Sequence, residues 1–373
     1  MFALHQLPLT LLLSLQACLT HALPLTTEYI SAEAATRETY INNALIAANA
    51  LNQKWFERDT GLWGEQWWQS PNYLCTHADL TELAPERFME VSSYFFETSV
   101  DQARKFNGGN FHNDYYDDMG WWAMALIRIY DVTQHARYLA LAKATFEDMK
   151  TGRNAVCGGH WWSKEQTYIA SIANELYLNV AAALGNRVPD RADYYLAFAL
   201  ENANWFLDSG LINDNDTVAD GIDINTCEPT GTVFTYNSGV ILGALSELHT
   251  LTAQDNDGRY LATAHRIAAG ALTHLVDSAG ILTEIGWPDD LDPTRAMFKG
   301  VFVRNLKYLQ ALDPREEYVV FLQKNADAVW ARDSDGAGLL GPNWQGGEGK
   351  WAAGLSSQGS GFDVLVAAAA VSE

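Results

Sequence analysis

The sequence alternates two kinds of helical segment along most of its length. Apolar residues recur at the i, i+3, i+4 and i+7 spacing typical of helices, and the alternation typical of strands is scarce. No linker rich in Pro, Gly or Ser divides the series, so we expect a single domain over residues 23–373. The pattern predicts twelve helices, over residues 27–56, 71–83, 87–105, 115–131, 134–150, 167–185, 190–209, 235–252, 258–276, 294–311, 315–332 and 356–371.

Every second helix is rich in small and apolar residues, such as Ala181, Ala182 and Ala183, whereas the helices between them carry more charge, such as Lys143 and Glu147. A helix that is apolar around most of its circumference must be enclosed, and an amphipathic helix can cover it from outside. Six enclosed and six covering helices predict six helical hairpins closed into an all-α (α/α)6 toroid. An open bundle or a superhelical array also fits the alternation, but the chain length and the lack of repeat extension favour closure.

The loops that lead into the enclosed helices share a composition. Five of the six combine Gly with Trp or with paired aromatic residues, and the exception is 226–231. In a toroid these loops converge at one mouth. Because Trp rings stack on flat ligands such as sugar rings, the mouth is a candidate carbohydrate site, and core packing is the alternative for any single Trp. The six loops are 61–68, 108–116, 157–162, 226–231, 284–288 and 341–347.

The charge balance argues against two classes of partner. The chain has 24 Lys and Arg against 46 Asp and Glu, a formal net charge of −22. Nucleic acids and anionic membrane surfaces attract basic faces, and no basic cluster is present. No segment after the amino terminus approaches the 18 apolar residues of a spanning helix. We therefore expect no nucleic-acid partner, no stable membrane insertion and a monomeric protein.

The amino terminus has the pattern of a secretory signal peptide. An apolar stretch from Leu7 to Leu19 is followed by Thr20-His21-Ala22, which predicts cleavage after Ala22 and a secreted protein. The apolar run 364–371 is shorter than the tail of a lipid-anchor signal and has no spacer before it, so we expect the mature protein to be soluble.

Cleavage after Ala22 would leave three cysteines, Cys75, Cys157 and Cys227. An odd number in an oxidising compartment predicts one disulfide and one free thiol. We expect Cys157 to pair with Cys227 because both lie in loops. Asn215 begins the sequon Asn-Asp-Thr in a polar loop and is the predicted N-glycosylation site.

Two adjacent acids, Asp117 and Asp118, stand at the start of the fourth predicted helix, with aromatic residues on both sides. Acids in a first helical turn also serve as caps and complement the helix dipole, which is the ordinary explanation. Aromatic neighbours, however, desolvate such a pair and raise the pKa of one acid while the other remains ionised. Glycoside hydrolysis requires one carboxylic acid and one carboxylate arranged in this way.

Four sequence motifs, given at the end of this paragraph in chain order, resemble those of glycoside hydrolase family 76, the α-1,6-mannanases of bacteria and fungi. The resemblance runs from about residue 30 to the carboxyl terminus. It implies the (α/α)6 fold and a retaining mechanism, with Asp117 as nucleophile and Asp118 as acid/base. The motifs are Asp117-Asp-Met-Gly-Trp-Trp122, Cys157-Gly-Gly-His-Trp161, Tyr236-Asn-Ser-Gly239 and Phe298-Lys-Gly-Val-Phe-Val-Arg304.

Further residues in or beside these motifs are candidate substrate ligands. The four Trp residues are sugar platforms or packing residues, and Asn237 binds a sugar hydroxyl or caps its helix. One of the two basic residues could pair with the catalytic carboxylates or form a structural ion pair. The candidates are Trp121, Trp122, Trp161, Trp162, Tyr236, Asn237, Lys299 and Arg304.

The sequence thus predicts a secreted retaining glycosidase that cleaves inside α-1,6-linked mannan and uses no cofactor. A transglycosylase that passes the mannosyl unit to another sugar, and a catalytically silent mannan-binding protein, remain alternatives. His-Glu-x-x-His and Gly-x-Ser-x-Gly are both absent from the sequence, which argues against zincin chemistry and the commonest serine-hydrolase pattern. No metal site is predicted.

Overall fold

The computed structural model describes residues 36–253, 258–286, 291–346 and 353–373. These residues form twelve α-helices, as the helical periodicity of the sequence predicts. Where both helix ends are described, they lie within about four residues of the predicted ends. The first predicted helix begins at residue 27, and its portion 27–35 and the predicted signal peptide lie outside the described residues. The helices are α1 Arg37–Trp55, α2 Gln69–Leu83, α3 Pro85–Phe106, α4 Tyr116–Thr133, α5 Ala136–Met149, α6 Ser171–Arg187, α7 Ala192–Asp208, α8 Thr235–Leu251, α9 Arg259–His274, α10 Arg295–Leu312, α11 Glu316–Arg332 and α12 Leu355–Val371.

The even-numbered helices form a closed inner ring. Each packs against the next, and α12 packs against both α10 and α2. In α6 every residue from Ser171 to Gly185 is buried, and in α12 every residue from Leu355 to Ala369 is buried. The outer helices α3 and α9 bury one face each. The predicted all-α (α/α)6 toroid is confirmed, and the apolar run 364–371 is part of an inner helix. No described helix is both long and apolar enough to cross a membrane.

Glycines in the inner helices allow close packing. A Cβ at Gly239 of α8 would lie 2.5 Å from the Cα of Phe302 in α10, and a Cβ at Gly300 would lie 2.5 Å from the Cα of Ser360 in α12. Such distances are far below van der Waals contact, so a larger residue would force the helices apart. The small residues of the enclosed helices therefore set the diameter of the ring.

Short strands supplement the helices near the mouth. Strands β1 (Phe56–Glu57) and β2 (Leu62–Trp63) form one antiparallel pair. Strands β3 (Ile169–Ala170), β4 (Ala219–Ile222) and β5 (Pro229–Val233) form an antiparallel sheet in that order. The loop 226–231, which lacked Trp in the sequence pattern, contains the end of the turn between β4 and β5 and the first three residues of β5. Strands this short carry too little alternation to be recognised from sequence.

The predicted disulfide is present between Cys157 and Cys227. It joins the loop before β3 to the turn between β4 and β5, while Cys75 is a buried free thiol in α2. Asn215 is exposed in the turn 213–217, and its glycosylation remains a prediction.

Candidate active site

The amino-terminal ends of the inner helices surround a cavity of about 440 Å³. Three carboxylates and a set of aromatic side chains line it, and all but four of the lining residues lie at the start of an inner helix or within two residues before it. The lining residues are Trp68, Tyr115, Asp117, Asp118, Trp121, Trp162, Tyr168, Ala170, Ile172, Asp220, Tyr236, Thr294 and Phe298.

A larger cavity of about 920 Å³ lies at the opposite end of the ring, among the carboxyl-terminal ends of the inner helices. Its charged side chains are paired with one another. Asp79 lies 2.7 Å from Arg128 and 2.6 Å from Lys307, and Arg187 lies 2.7 Å from Asp131. Carboxylates held in such ion pairs are poor donors or acceptors of a proton in a reaction. Acid–base chemistry is therefore expected in the smaller cavity.

Asp117 and Asp118 are the second and third residues of α4. The backbone N–H of Asp118 donates to Oδ1 of Asp117 at 3.0 Å, and the indole N–H of Trp162 donates to Oδ2 at 3.0 Å. Asp118 accepts one hydrogen bond, from the side-chain amide of Asn113 to Oδ2 at 2.6 Å. Among the described residues no hydrogen bond reaches Oδ1 of Asp118, so one oxygen of this carboxyl is available to carry a proton.

The environments of the two carboxyls divide their roles. Burial raises the pKa of Asp117, and the N–H donors of Trp162 and Asp118 oppose that rise. Burial raises the pKa of Asp118 further, because the charge of Asp117 adds to the effect and the Asn113 amide alone opposes it. Asp117 is therefore the carboxylate of the pair, and Asp118 retains its proton at a pH where Asp117 is ionised.

The loop that carries Trp162 is attached to the start of α4 through its backbone. The carbonyl of Trp162 accepts a hydrogen bond from the N–H of Tyr116 at 2.9 Å, and the N–H of Trp162 donates to the carbonyl of Tyr168 at 2.9 Å. The indole is thereby held beside Asp117 independently of its own hydrogen bond. This arrangement explains how a loop residue 45 positions away can fix a helical carboxylate.

A third carboxylate, Asp220 on β4, lines the cavity and has no counterpart in the sequence analysis. The Tyr168 hydroxyl donates to its Oδ2 at 2.9 Å, and the Asn237 amide lies 3.4 Å from its Oδ1. Burial raises its pKa, which these donors oppose. Burial raises the pKa of Glu175, which is fully buried on α6, well above its ordinary value, and the charge of Asp220 adds to the rise.

Aromatic rings cover both flanks of the carboxylates. Trp68 lies 6.1 Å from Trp121 and 6.4 Å from Phe298, measured between ring centroids. Phe298 and Tyr236 are stacked at 3.8 Å with an interplanar angle of 5°. A second group consists of Trp162 with Tyr115 at 4.9 Å and Tyr168 at 6.3 Å. Flat apolar faces around carboxylates suit sugar rings, whose C–H faces stack while their hydroxyls donate hydrogen bonds.

Five of the eight predicted substrate ligands do not line this cavity, and three of these five are Trp122, Trp161 and Asn237. Trp122 is fully buried and stacks on Phe111 at 4.6 Å, because consecutive helical residues point about 100° apart and Trp121 takes the cavity face. Trp161 is 5% exposed and packs in the core. Asn237 is fully buried and donates to Asp220. Of the predicted ligands, Trp121, Trp162 and Tyr236 do line the cavity.

Neither Lys299 nor Arg304 pairs with Asp117 or Asp118, and for Arg304 the alternative of a structural ion pair holds. The Lys299 ammonium donates to the carbonyl of Pro342 at 2.7 Å and lies 4.4 Å from the ring centroid of Trp344. Arg304 forms a buried ion pair with Asp363 at 3.0 Å. Both side chains point into the protein interior from α10, and sequence spacing alone does not define their depth or direction.

Replacing Trp162 with phenylalanine is expected to move the acidic limb of the pH profile of kcat/KM to higher pH by about one unit. The indole N–H stabilises the ionised form of Asp117, so its loss raises the pKa of that carboxyl and protonates it at a pH where the wild-type carboxyl is ionised. The dependence of kcat/KM on pH measures the shift.

The matched control is Trp205→Phe, which removes an indole donor to the carbonyl of Cys157 and lies outside the cavity. We expect its profile to coincide with that of the wild type. An unshifted acidic limb in the Trp162 variant would contradict the assignment of Asp117 as the group controlled by this indole.

A family model and curated relatives match this chain. The family model described as Glycosyl hydrolase family 76 matches residues 32–372. Mannan endo-1,6-alpha-mannosidase DFG5 of Saccharomyces cerevisiae is 26% identical over 245 residues, which cover 61% of this chain and 52% of the relative. Mannan endo-1,6-alpha-mannosidase DCW1 of the same yeast is 24% identical over 275 residues, covering 67% and 59%. The chain thus spans between about half and three fifths of the length of these relatives.

Solved structures share the fold. The α-1,6-mannanase GH76A of Salegentibacter sp. HEL1_6, solved as an inactive variant in complex with α-1,6-mannotetrose, has a TM-score of 0.79 at 24% identity and covers 89% of this chain and 99% of that chain. Dfg5 of Chaetomium thermophilum, in complex with glucosamine, has a TM-score of 0.77 at 17% identity and covers 91% of each chain.

Proposed function

We propose, because the chain belongs to glycosyl hydrolase family 76, that it is a retaining glycosidase that cleaves α-1,6-mannosidic linkages inside mannan. The observation that carries the proposal is the unequal pair in the aromatic cavity. Asp117 has both oxygens occupied by N–H donors, and Asp118 has one oxygen left for a proton. This is the division of labour that glycoside hydrolysis requires.

In the first step Asp118 gives its proton to the glycosidic oxygen while a carboxylate oxygen of Asp117 attacks the anomeric carbon. The bond to the leaving sugar breaks, and a mannosyl ester of Asp117 forms. In the second step Asp118, now ionised, takes a proton from water, whose oxygen attacks the same carbon and displaces Asp117. Two displacements restore the original α configuration.

The other cavity residues bind and orient the sugar. Asp220 accepts hydrogen bonds from sugar hydroxyls, since its two oxygens are aligned by Tyr168 and Asn237. Trp121 and the stacked pair Tyr236 and Phe298 offer apolar faces to the rings. A neutral polymer suits a protein of formal charge −22, and the names of the curated relatives and of the bacterial mannanase support α-1,6-mannan as the substrate.

We also propose that the protein works outside the cell. The disulfide between Cys157 and Cys227 requires an oxidising compartment to persist. The exposed sequon at Asn215 and the signal-peptide pattern of residues 1–22 agree with export.

The test is incubation of the purified protein with linear α-1,6-mannan. We expect a ladder of oligosaccharides whose new reducing ends are α when first formed, as measured by proton NMR before mutarotation. The Asp118→Asn variant should leave the polymer intact. Its matched control is Asp114→Asn, which removes a charge at an exposed position outside the cavity and should cleave normally.

Four other outcomes contradict parts of the proposal. Bound but intact polymer indicates a mannan-binding protein without activity. Release of mannose alone indicates attack at chain ends. New β reducing ends exclude retention. Longer products that appear when an acceptor oligosaccharide is added, in place of shorter ones, indicate transfer of the mannosyl unit to sugar instead of water.

A further inference from the structure

The start of α8 is capped by a residue from a distant loop. Its N-cap residue, Phe234, provides no side-chain hydrogen bond to the helix. The carboxyl of Glu284 takes that place: it accepts a hydrogen bond from the backbone N–H of Thr235 at 3.1 Å and a second from the Thr235 hydroxyl. Glu284 and Thr235 are both fully buried. A carboxyl at a helix amino terminus satisfies an otherwise orphaned N–H and complements the dipole.

The residue that follows this cap is part of the cavity wall. Tyr236 is adjacent to Thr235, and its ring lies flat against Phe298 at 3.8 Å. Phe298 belongs to the first turn of α10, and both rings line the cavity. The hydrogen bonds to Glu284 therefore hold the first turn of α8, which carries Tyr236. Through the stacked rings they also constrain Phe298 on α10.

The neighbour of Phe298 fixes the other side of the stack. Lys299 is 1% exposed, donates to the carbonyl of Pro342 and packs over Trp344. Burial lowers the pKa of Lys299, and among the charged groups Glu284 opposes this lowering the most. Burial raises the pKa of Glu284 to about 7, although the hydrogen bonds from Thr235 and then the charge of Lys299 oppose the rise. A neutral acceptor of the same shape is therefore compatible with the site.

We propose that Glu284 is a positioning residue for the aromatic wall of the cavity, holding Tyr236 and, through it, Phe298 where they stack on the bound sugar. This inference rests on the proposed function, because the wall matters only if a saccharide occupies the cavity. Glu284 is not among the residues that line the cavity, so its effect is indirect. Glu284 begins the loop 284–288 of the sequence pattern, but that pattern gives the residue itself no role.

The test compares Glu284→Leu with Glu284→Gln on α-1,6-mannotetraose. Leucine removes the acceptor and frees the first turn of α8, so we expect KM to rise about tenfold while kcat stays within about threefold of the wild type, since a misplaced wall weakens binding in the ground and transition states alike. Glutamine keeps an oxygen acceptor for the Thr235 N–H, so it should restore KM to within about twofold.

Two further variants keep the proposal falsifiable if Glu284→Leu fails to fold. Thr235→Val removes the hydroxyl but leaves the N–H to Glu284, and it should raise KM by a smaller factor, about threefold. Asp79→Asn disrupts a buried ion-pair cluster at the opposite end of the ring. We expect it to lower the melting temperature and leave KM unchanged, which separates loss of stability from loss of the wall.

The outcomes separate this inference from the proposed function. If the wild type leaves mannotetraose and linear α-1,6-mannan intact, the proposed function fails. If the wild type cleaves and whichever of the Glu284→Leu and Thr235→Val variants fold keep the wild-type KM, the positioning role is overturned and the enzyme assignment stands. A fall in kcat with unchanged KM in Glu284→Leu also overturns it, because the loss would then lie in the chemical step.

Discussion

Replacing Asp118 with asparagine is expected to lower kcat on α-1,6-mannan by about 10²- to 10⁴-fold, the range that general acid–base catalysis contributes. Asparagine is nearly isosteric and keeps an acceptor for the Asn113 amide, but it has no acidic proton to give to the leaving oxygen. Binding of mannotetraose should be retained, because the aromatic walls and Asp220 are untouched. Steady-state kinetics and calorimetric titration measure the two effects.

The leaving group provides an internal control for the Asp118 variant. The dinitrophenolate of a dinitrophenyl mannoside leaves without being protonated, so the first step on this substrate should be almost unaffected by the loss of the acid. The exposed Asp114→Asn variant accounts for the change in net charge. An Asp118→Asn protein that cleaves mannan at more than about a tenth of the wild-type rate would be incompatible with the acid role.

Replacing Asp117 with alanine is expected to abolish cleavage more completely, by about 10⁴-fold or more, because the covalent intermediate can no longer form. Azide can occupy the space left by the carboxylate and attack the anomeric carbon of an activated mannoside directly. The product should then be the β-mannosyl azide, formed by a single displacement.

The same probe assigns the two roles independently. In Asp118→Ala the nucleophile is intact, so azide should intercept the mannosyl ester and give the α-mannosyl azide by two displacements. Proton NMR of the isolated azides distinguishes the anomers. If the two variants gave the opposite anomers, Asp118 would be the nucleophile, and the reading of the hydrogen bonds to Asp117 would be wrong.

The fold was largely accessible from sequence because its determinants are local. Helical periodicity defined all twelve helices, and the requirement to enclose apolar helices such as α6 and α12 led to a closed ring. Asp117 and Asp118 were found because they are consecutive and flanked by aromatic residues.

The remainder of the site depends on tertiary structure. Asp220 enters the cavity through a four-residue strand whose own sequence, Ala-Asp-Gly-Ile, has no functional signature. Glu284 reaches α8 across 49 positions. The direction of Trp122, Lys299 and Arg304 is set by rotation and depth along a helix, and a one-residue step of about 100° decides whether a side chain faces the cavity or the core.

The disulfide turns the segment 157–227 into a covalent ring that contains Trp162, Tyr168 and Asp220. A protease that cuts once at the exposed turn containing Asp214 and Asn215 would therefore produce two polypeptides that stay attached to each other. Both cavity-lining parts of the ring would remain linked to the start of α4 after such a nick, so a single cut at this exposed turn leaves the parts of the cavity joined.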